Sequence, residues 1–167
     1  MSERTLVIMR HGKADQAVTR GDAARQLIER GRADARLGGA WLAAQGLHPD
    51  VVLCSAAART RGTWHEVAIG LVEADVTASP NVSYDASLYD GGLGAALELI
   101  RGVDPGAGTV LLIGHNPTVS GLSVRLDDAR VRAAGGLRTS GIAVHRVESS
   151  WAELAVAALV AEHTPRA

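Results

Sequence analysis

Apolar residues fall along this chain in short continuous runs separated by stretches with helical spacing. Leu6-Val7-Ile8-Met9, Val51-Val52-Leu53-Cys54 and Val110-Leu111-Leu112-Ile113 are unbroken runs of strand length, the pattern of strands covered on both faces. Between the first two, Ala33, Leu37, Ala40, Trp41 and Ala44 recur on one side of a helix predicted from about Glu29 to Gln45. Gly46 is a helix stop, with Pro49 just beyond it. A polar stretch from Lys13 to about Arg25 separates this helix from the first strand. Ser55 precedes a second helix carrying Trp64, Val67, Ala68 and Leu71, and Asn81 to Tyr84 reads as a short strand. Leu93, Ala96, Leu97 and Ile100 mark another helix face, and Pro105-Gly106-Ala107-Gly108 is the turn before the third apolar run. Pro117 suits the first turn of a helix reaching about Leu126. Asp127 to Thr139, rich in Arg, Ala and Gly, reads as an irregular excursion. Ile142 to Val147 and Trp151 to Leu159 read as two strands joined by Glu148-Ser149-Ser150, with a frayed tail from Glu162. The alternation predicts one domain over residues 1–167, a three-layer α/β/α sandwich with a mainly parallel, mixed central sheet.

Composition narrows the function classes. Apolar residues make up 47% of the 167 positions and charged residues 21%, as in an ordinary globular fold. Seventeen basic against 18 acidic residues leave a net charge of −1, which argues against nucleic-acid binding through bulk positive charge. Lys13 is the only lysine; the arginine excess reads as compositional bias and carries no functional weight. Cys54, the single cysteine, allows no internal disulfide and reads as a buried small hydrophobe. Four apolar residues before Arg10 are too few for a signal-peptide core, and no run approaches the roughly 18 needed to span a membrane. A cytoplasmic protein without membrane attachment is expected. Gly106 and Gly108 precede a strand, so they form no dinucleotide fingerprint. His48, His65, His145 and His163 lack ligand partners at short spacing, so no metal and no cofactor is expected. Asp127-Asp128 reads as a solvated loop, Trp41 and Trp64 as core anchors.

The chemistry is concentrated at two strand ends. Arg10-His11-Gly12 follows the first apolar run, and Gly114-His115-Asn116-Pro117 follows the third. Open α/β sheets bind ligands beyond the carboxyl ends of their strands, so two imidazoles are expected over one pocket. A neutral imidazole can attack phosphorus and split one transfer into two steps. Arginines and a second, protonated histidine can hold the charge of the transferring group without a metal. Arg59 lies in Ser55-Ala56-Ala57-Ala58-Arg59-Thr60-Arg61-Gly62-Thr63, where a strand gives way to a helix and backbone N–H groups favour anions.

Together, Arg10-His11-Gly12, the segment holding Arg59 and Gly114-His115 resemble the histidine phosphatase superfamily, also called phosphoglycerate-mutase-like. The short chain, Gly114-His115-Asn116-Pro117, Arg25-Gln26-Leu27-Ile28-Glu29-Arg30-Gly31 and Ala40-Trp41-Leu42 are most similar to its SixA-type phosphohistidine phosphatases. The resemblance covers nearly the whole chain. It implies that His11 is the phosphorylated nucleophile and that Arg10, Arg59 and His115 hold the phosphoryl oxygens. It also implies substrate contacts from Arg25, Asn116 and Ser140, the last preceded by Thr139. Gln26 and Ile28 stand where the group has proline and threonine, which alters that loop. Many members acting on esters carry a glutamate acid after the third strand. Here Tyr84-Asp85-Ala86-Ser87-Leu88-Tyr89-Asp90 holds none, leaving Asp85 and Asp90 as substitutes. An alkoxide needs a proton from a positioned acid, whereas an imidazole leaves readily. The resemblance therefore implies a metal-independent phosphatase taking phosphohistidine from a phosphotransfer or signalling protein. The alternatives are a phosphatase for small phosphate esters, such as sugar phosphates or nucleotides, and a phosphate- or phosphoprotein-binding module without catalysis.

Overall fold

The computed structural model describes residues 3–16, 19–77, 79–127 and 136–167. Its strands are β1 (Arg4–Arg10), β2 (Val51–Ser55), β3 (Asn81–Asp85), β4 (Thr109–Gly114), β5 (Ile142–Val147) and β6 (Ala158–His163). The helices are α1 (Glu29–Ala44), α2 (Ala58–Glu73), the single turn α3 (Ser87–Asp90), α4 (Gly92–Arg101) and α5 (Thr118–Leu126), with a 3-10 turn at Asp22–Ala24. The strands form one sheet in the order β3-β2-β4-β1-β5-β6. β1 to β4 are mutually parallel where they pair, while β5 and β6 run antiparallel.

Strand side chains alternate between two cores. Leu6 and Ile8 of β1, with Val110 and Leu112 of β4, face α4 and α5 through Leu97, Ile100, Leu122 and Leu126. Val7, Met9, Leu111 and Ile113 face α1 and α2 through Ala35, Leu42, Trp64, Val67 and Leu71. Both faces of the central strands are thus covered, which is why their sequences are continuous apolar runs. Gly46 takes φ +70 after α1, and the Leu47 N–H reaches back to the Leu42 carbonyl at 2.9 Å. That left-handed close is the helix stop the sequence predicts.

The register fixes the site. β1 pairs with β4 so that Arg10 lies beside Gly114, and the His11 N–H donates to the Gly114 carbonyl at 3.1 Å. The two histidines therefore leave adjacent strands at the same level, beside the start of β5.

Three expectations are corrected. The last strand is β6, later than Trp151 to Leu159; Trp151 lies in a buried turn and donates its indole N–H to the Ala107 carbonyl at 2.7 Å. The tail beyond Glu162 is tied down rather than frayed: Arg166 and the Ala167 N–H both donate to Asp34. Asp127 is buried instead of solvated, and its carboxylate accepts the Leu159 N–H at 3.4 Å. Residues 128–135, most of the predicted excursion, lie outside the described residues. Trp64 anchors the core as expected, while Trp41 is half-buried and stacks on His163 at 4.7 Å. No helix among the described residues is long and apolar enough to cross a membrane.

Candidate active site

The floor of the site is the turn after β1. The His11 Nδ1 is 2.7 Å from the Gly12 carbonyl oxygen, which can only accept, so Nδ1 carries the ring proton and Nε2 keeps its lone pair. Burial pushes the His11 pKa down to about 4, with Arg59, Arg10 and Arg25 adding to the fall and the Gly12 hydrogen bond opposing it. The imidazole is therefore neutral at pH 7. The Gly12 N–H donates to Thr63 Oγ1 at 2.9 Å, and the Thr63 hydroxyl donates to the Arg59 carbonyl at 2.7 Å. One side chain of α2 thus couples the histidine turn to the start of its own helix. A Cβ on Gly12 would lie 2.8 Å from the Gly31 carbonyl, and one on Gly31 only 2.1 Å from the Lys13 carbonyl. Glycine at both positions lets the histidine turn press directly on the first turn of α1. On the other side, the Ser140 N–H donates to the His11 carbonyl at 3.0 Å.

Arg59 and His115 form the walls. Thr60 donates its hydroxyl to the Ser55 and Ala57 carbonyls, each at 2.8 Å, which fixes the strand-to-helix turn. Arg59, at the second position of α2, is 6% exposed. Its Nη1 donates to the Asp22 carbonyl at 2.8 Å and its Nη2 to the Asp22 carboxylate at 3.0 Å, while Nε is buried without a partner. The His115 ring centre lies 5.3 Å from that of His11. Its Nε2 is 2.8 Å from Ser55 Oγ. Ser55 Oγ also receives the Ala57 N–H at 3.4 Å, and with its second lone pair and its own proton it can either accept from or donate to that Nε2. The His115 Nδ1 is buried and unpartnered. Burial, then Arg59 and His11, push its pKa down to about 4, against a small opposing effect of Asp22. The second histidine, expected from sequence to be protonated, is a neutral imidazole at pH 7. Arg10 donates Nη1 to the Leu137 carbonyl at 3.3 Å and leaves Nε buried and unpartnered. Buried donors without acceptors are rare in folded proteins. Here Arg10 and Arg59 each hold one on Nε, beside the unpartnered Nδ1 of His115, a set that an oxyanion can engage.

The remaining expected residues divide. Arg25 donates Nε to the Asp15 carbonyl at 2.8 Å and Nη1 to Asp22 at 2.9 Å, so it approaches through the loop after β1. Asn116 donates to the Leu137 carbonyl at 2.9 Å and accepts from Ser120, so its amide braces residue 137. Ser140 has φ +60 and a buried, unpartnered Oγ placed 3.1 Å from where a Gly12 Cβ would stand. Asp85 accepts the Ser87 N–H and hydroxyl at 2.8 and 2.6 Å and caps its own turn. Asp90 is exposed at the end of α3, and no hydrogen bond among the described residues joins its carboxylate to the pocket. Two residues not singled out from sequence do reach it. Asp22 binds Arg59 and Arg25, and Tyr89 packs edge-on against His115 at 5.4 Å between ring centres while donating its hydroxyl to Asp22 at 2.6 Å. Neither lies in a periodic pattern; the only sequence signal is the position of Asp22 three residues before Arg25. Among the described residues, no three or more His, Cys, Asp or Glu gather as a metal ion would need.

Residues 6–82 match the family model of the histidine phosphatase superfamily (branch 1). An uncharacterized protein of Mycobacterium tuberculosis (strain CDC 1551 / Oshkosh) is 38% identical over 167 residues, covering 95% of this chain and all of the relative. Among solved structures, a Nakamurella multipartitia protein named for the phosphohistidine phosphatase SixA is 32% identical, with TM-score 0.84 over 100% of this chain and 99% of the other. The protein histidine phosphatase SixA complexed with tungstate shares the fold at 24% identity, with TM-score 0.81 over 96% and 97% of the two chains.

Proposed function

The chain belongs to the histidine phosphatase superfamily, and from that premise we propose that it is a metal-independent phosphatase whose His11 removes phosphate from phosphohistidine on a signalling or phosphotransfer protein. The observation that carries this reading is the His11 Nε2 lone pair, set by the Nδ1–H to Gly12 bond, beside unpaired Nε–H donors on Arg10 and Arg59 and the unpartnered Nδ1 of His115. In the first step Nε2 forms a bond to phosphorus while the substrate's P–N bond breaks, its electron pair returning to the leaving imidazole nitrogen. These three side chains take the charge on the equatorial oxygens, and two of them are permanently cationic arginines. In the second step a water oxygen bonds phosphorus, and the electron pair of the P–Nε2 bond returns to His11. The proton released from that water goes to the phosphate or to solvent. A phosphohistidine substrate is supported by the likeness to the protein named for SixA. It is also supported by Asp85 Oδ1 being engaged by its own turn and by the absence, among the described residues, of a hydrogen bond joining the exposed Asp90 carboxylate to the site.

The test is turnover of a phosphohistidine protein against a panel of sugar, nucleotide and aryl phosphates, with chelator present. Preference for the P–N substrate is expected, with an acid-labile phosphoenzyme trapped in the wild type and absent from His11→Ala. A preference for any ester would refute the substrate assignment. Phosphate binding without turnover of any substrate would identify a binding module instead.

A further inference from the structure

A carboxylate stands at the mouth of the pocket. Asp22 Oδ2 accepts the Arg59 Nη2 at 3.0 Å and the Tyr89 hydroxyl at 2.6 Å, while Oδ1 accepts Arg25 Nη1 at 2.9 Å. Its side chain is nonetheless 46% exposed. These hydrogen bonds, that from Tyr89 foremost and then those from Arg25 and Arg59, hold its carboxyl well below the usual carboxylate range. Asp22 is therefore ionised whenever the enzyme works.

The geometry of transfer gives such a carboxylate a role. Displacement at phosphorus keeps the attacking and leaving atoms roughly in line. His11 is 8% exposed at the floor and the oxyanion donors are buried around it. The leaving group then points away from that floor, toward the more exposed side of the site, which Arg59, Tyr89 and Asp22 line. An ionised carboxylate has no proton to offer an alkoxide and repels the charge growing on an ester oxygen. It is, however, a strong acceptor for an N–H. A carboxylate offers about four lone-pair sites, and three are used here, leaving one on Oδ1.

We infer that Asp22, braced by Tyr89 and Arg25, selects the leaving group by accepting the ring N–H of a phosphoimidazole and by disfavouring phosphate esters. This rests on the proposed phosphohistidine reading and deepens it. In the step, the substrate ring carries a proton on the nitrogen remote from phosphorus. As the P–N bond breaks, its electron pair returns to the other nitrogen, and the ring departs as neutral imidazole. The remote N–H stays on the ring throughout, hydrogen-bonded to Asp22, so no proton transfer is required. The same carboxylate holds Arg59 in place, so a role limited to bracing that arginine is the competing explanation.

The experiment compares kcat/KM on a phosphohistidine peptide with kcat/KM on 4-nitrophenyl phosphate, in the wild type, Asp22→Asn and Tyr89→Phe. Thermal unfolding of each confirms folding. In Asp22→Asn the ratio of peptide to ester efficiency is expected to fall about tenfold or more, the loss of one charge-assisted hydrogen bond. Tyr89→Phe keeps the ring against His115 and is expected to move the ratio in the same direction by less. Equal losses on both substrates would mean that Asp22 only braces Arg59 and would overturn the inference, as would an unchanged ratio. A wild type that prefers the ester removes the underlying function as well. A wild type that prefers the peptide, with a ratio unmoved by Asp22→Asn, removes this inference alone.

Discussion

At the scale of single residues, the site keeps two histidines uncharged. Burial costs the imidazolium its hydration, and Arg59 and Arg10 repel it, so both rings hold their neutral form down to about pH 4. The sign is fixed by which form burial disfavours: the charged form loses, so the proton leaves at lower pH than usual. The neutral form of His11, the one the proposed reaction needs, therefore persists as pH falls through 6.5 and is lost only near 4. A histidine NMR titration is expected to give midpoints near 4 for both rings, with the His11 proton on Nδ1. Added inorganic phosphate is expected to raise the His115 midpoint, because a bound dianion favours the imidazolium. A His11 midpoint near the ordinary value would mean that the turn after β1 is open to water.

At the scale of elements, the site is held by the contact between α1 and α2, which glycines allow. A Cβ on Gly39 would lie 2.2 Å from the Val67 carbonyl, and one on Gly70 2.2 Å from the Arg36 carbonyl. Both obstacles are backbone atoms, so the helices would have to separate. Alanine gains up to about 1 kcal/mol over glycine in helix propensity. Forcing a methyl into a close contact costs about 1–3 kcal/mol or more, so the clash wins. Gly39→Ala and Gly70→Ala are each expected to lower unfolding free energy by about 1–3 kcal/mol in urea titrations. Gly94, in α4, has nothing within 4 Å of its would-be Cβ. Gly94→Ala is therefore expected to be neutral or to stabilise by up to about 1 kcal/mol, and an equal loss there would break the argument. Because Arg59 and Thr63 ride on α2 while Gly31 of α1 backs the His11 turn, a shift between these helices also moves the site.

At the scale of the whole molecule, the last residues close a circuit back to the site. Asp34 is 1% exposed and accepts the Ala167 N–H at 2.7 Å and Arg166 Nη1 at 3.3 Å. Arg166 also donates to the Thr139 carbonyl at 2.9 Å, one residue before Ser140 binds the His11 carbonyl. Asp34→Ala is expected to destabilise by roughly 1–3 kcal/mol and to raise amide exchange in residues 164–167. Unchanged exchange would show that the tail is held by other contacts. None of this was legible beforehand, since the tail has no periodic pattern and its partner lies on α1. The same division runs through the chain. β1, β2 and β4, α1 with its Gly46 stop, and the histidines at the ends of β1 and β4 could be read directly, because local periodicity and strand-end chemistry are written in neighbouring residues. β6 starts later than the apolar pattern predicts because the Trp151 turn is apolar for tertiary reasons: its indole caps the Ala107 carbonyl. Asp22 and Tyr89 carry no local signal of a site role, because an aspartate in a polar loop looks like any solvated residue and only the fold turns Arg59 toward it. By itself the sequence determined the alternating elements and the two imidazoles, since burial on both strand faces requires continuous apolar runs. Only the tertiary structure decided which ring nitrogen of His11 holds the proton, that His115 rests neutral, and that a carboxylate faces Arg59, because those follow from burial and through-space charge rather than from order along the chain.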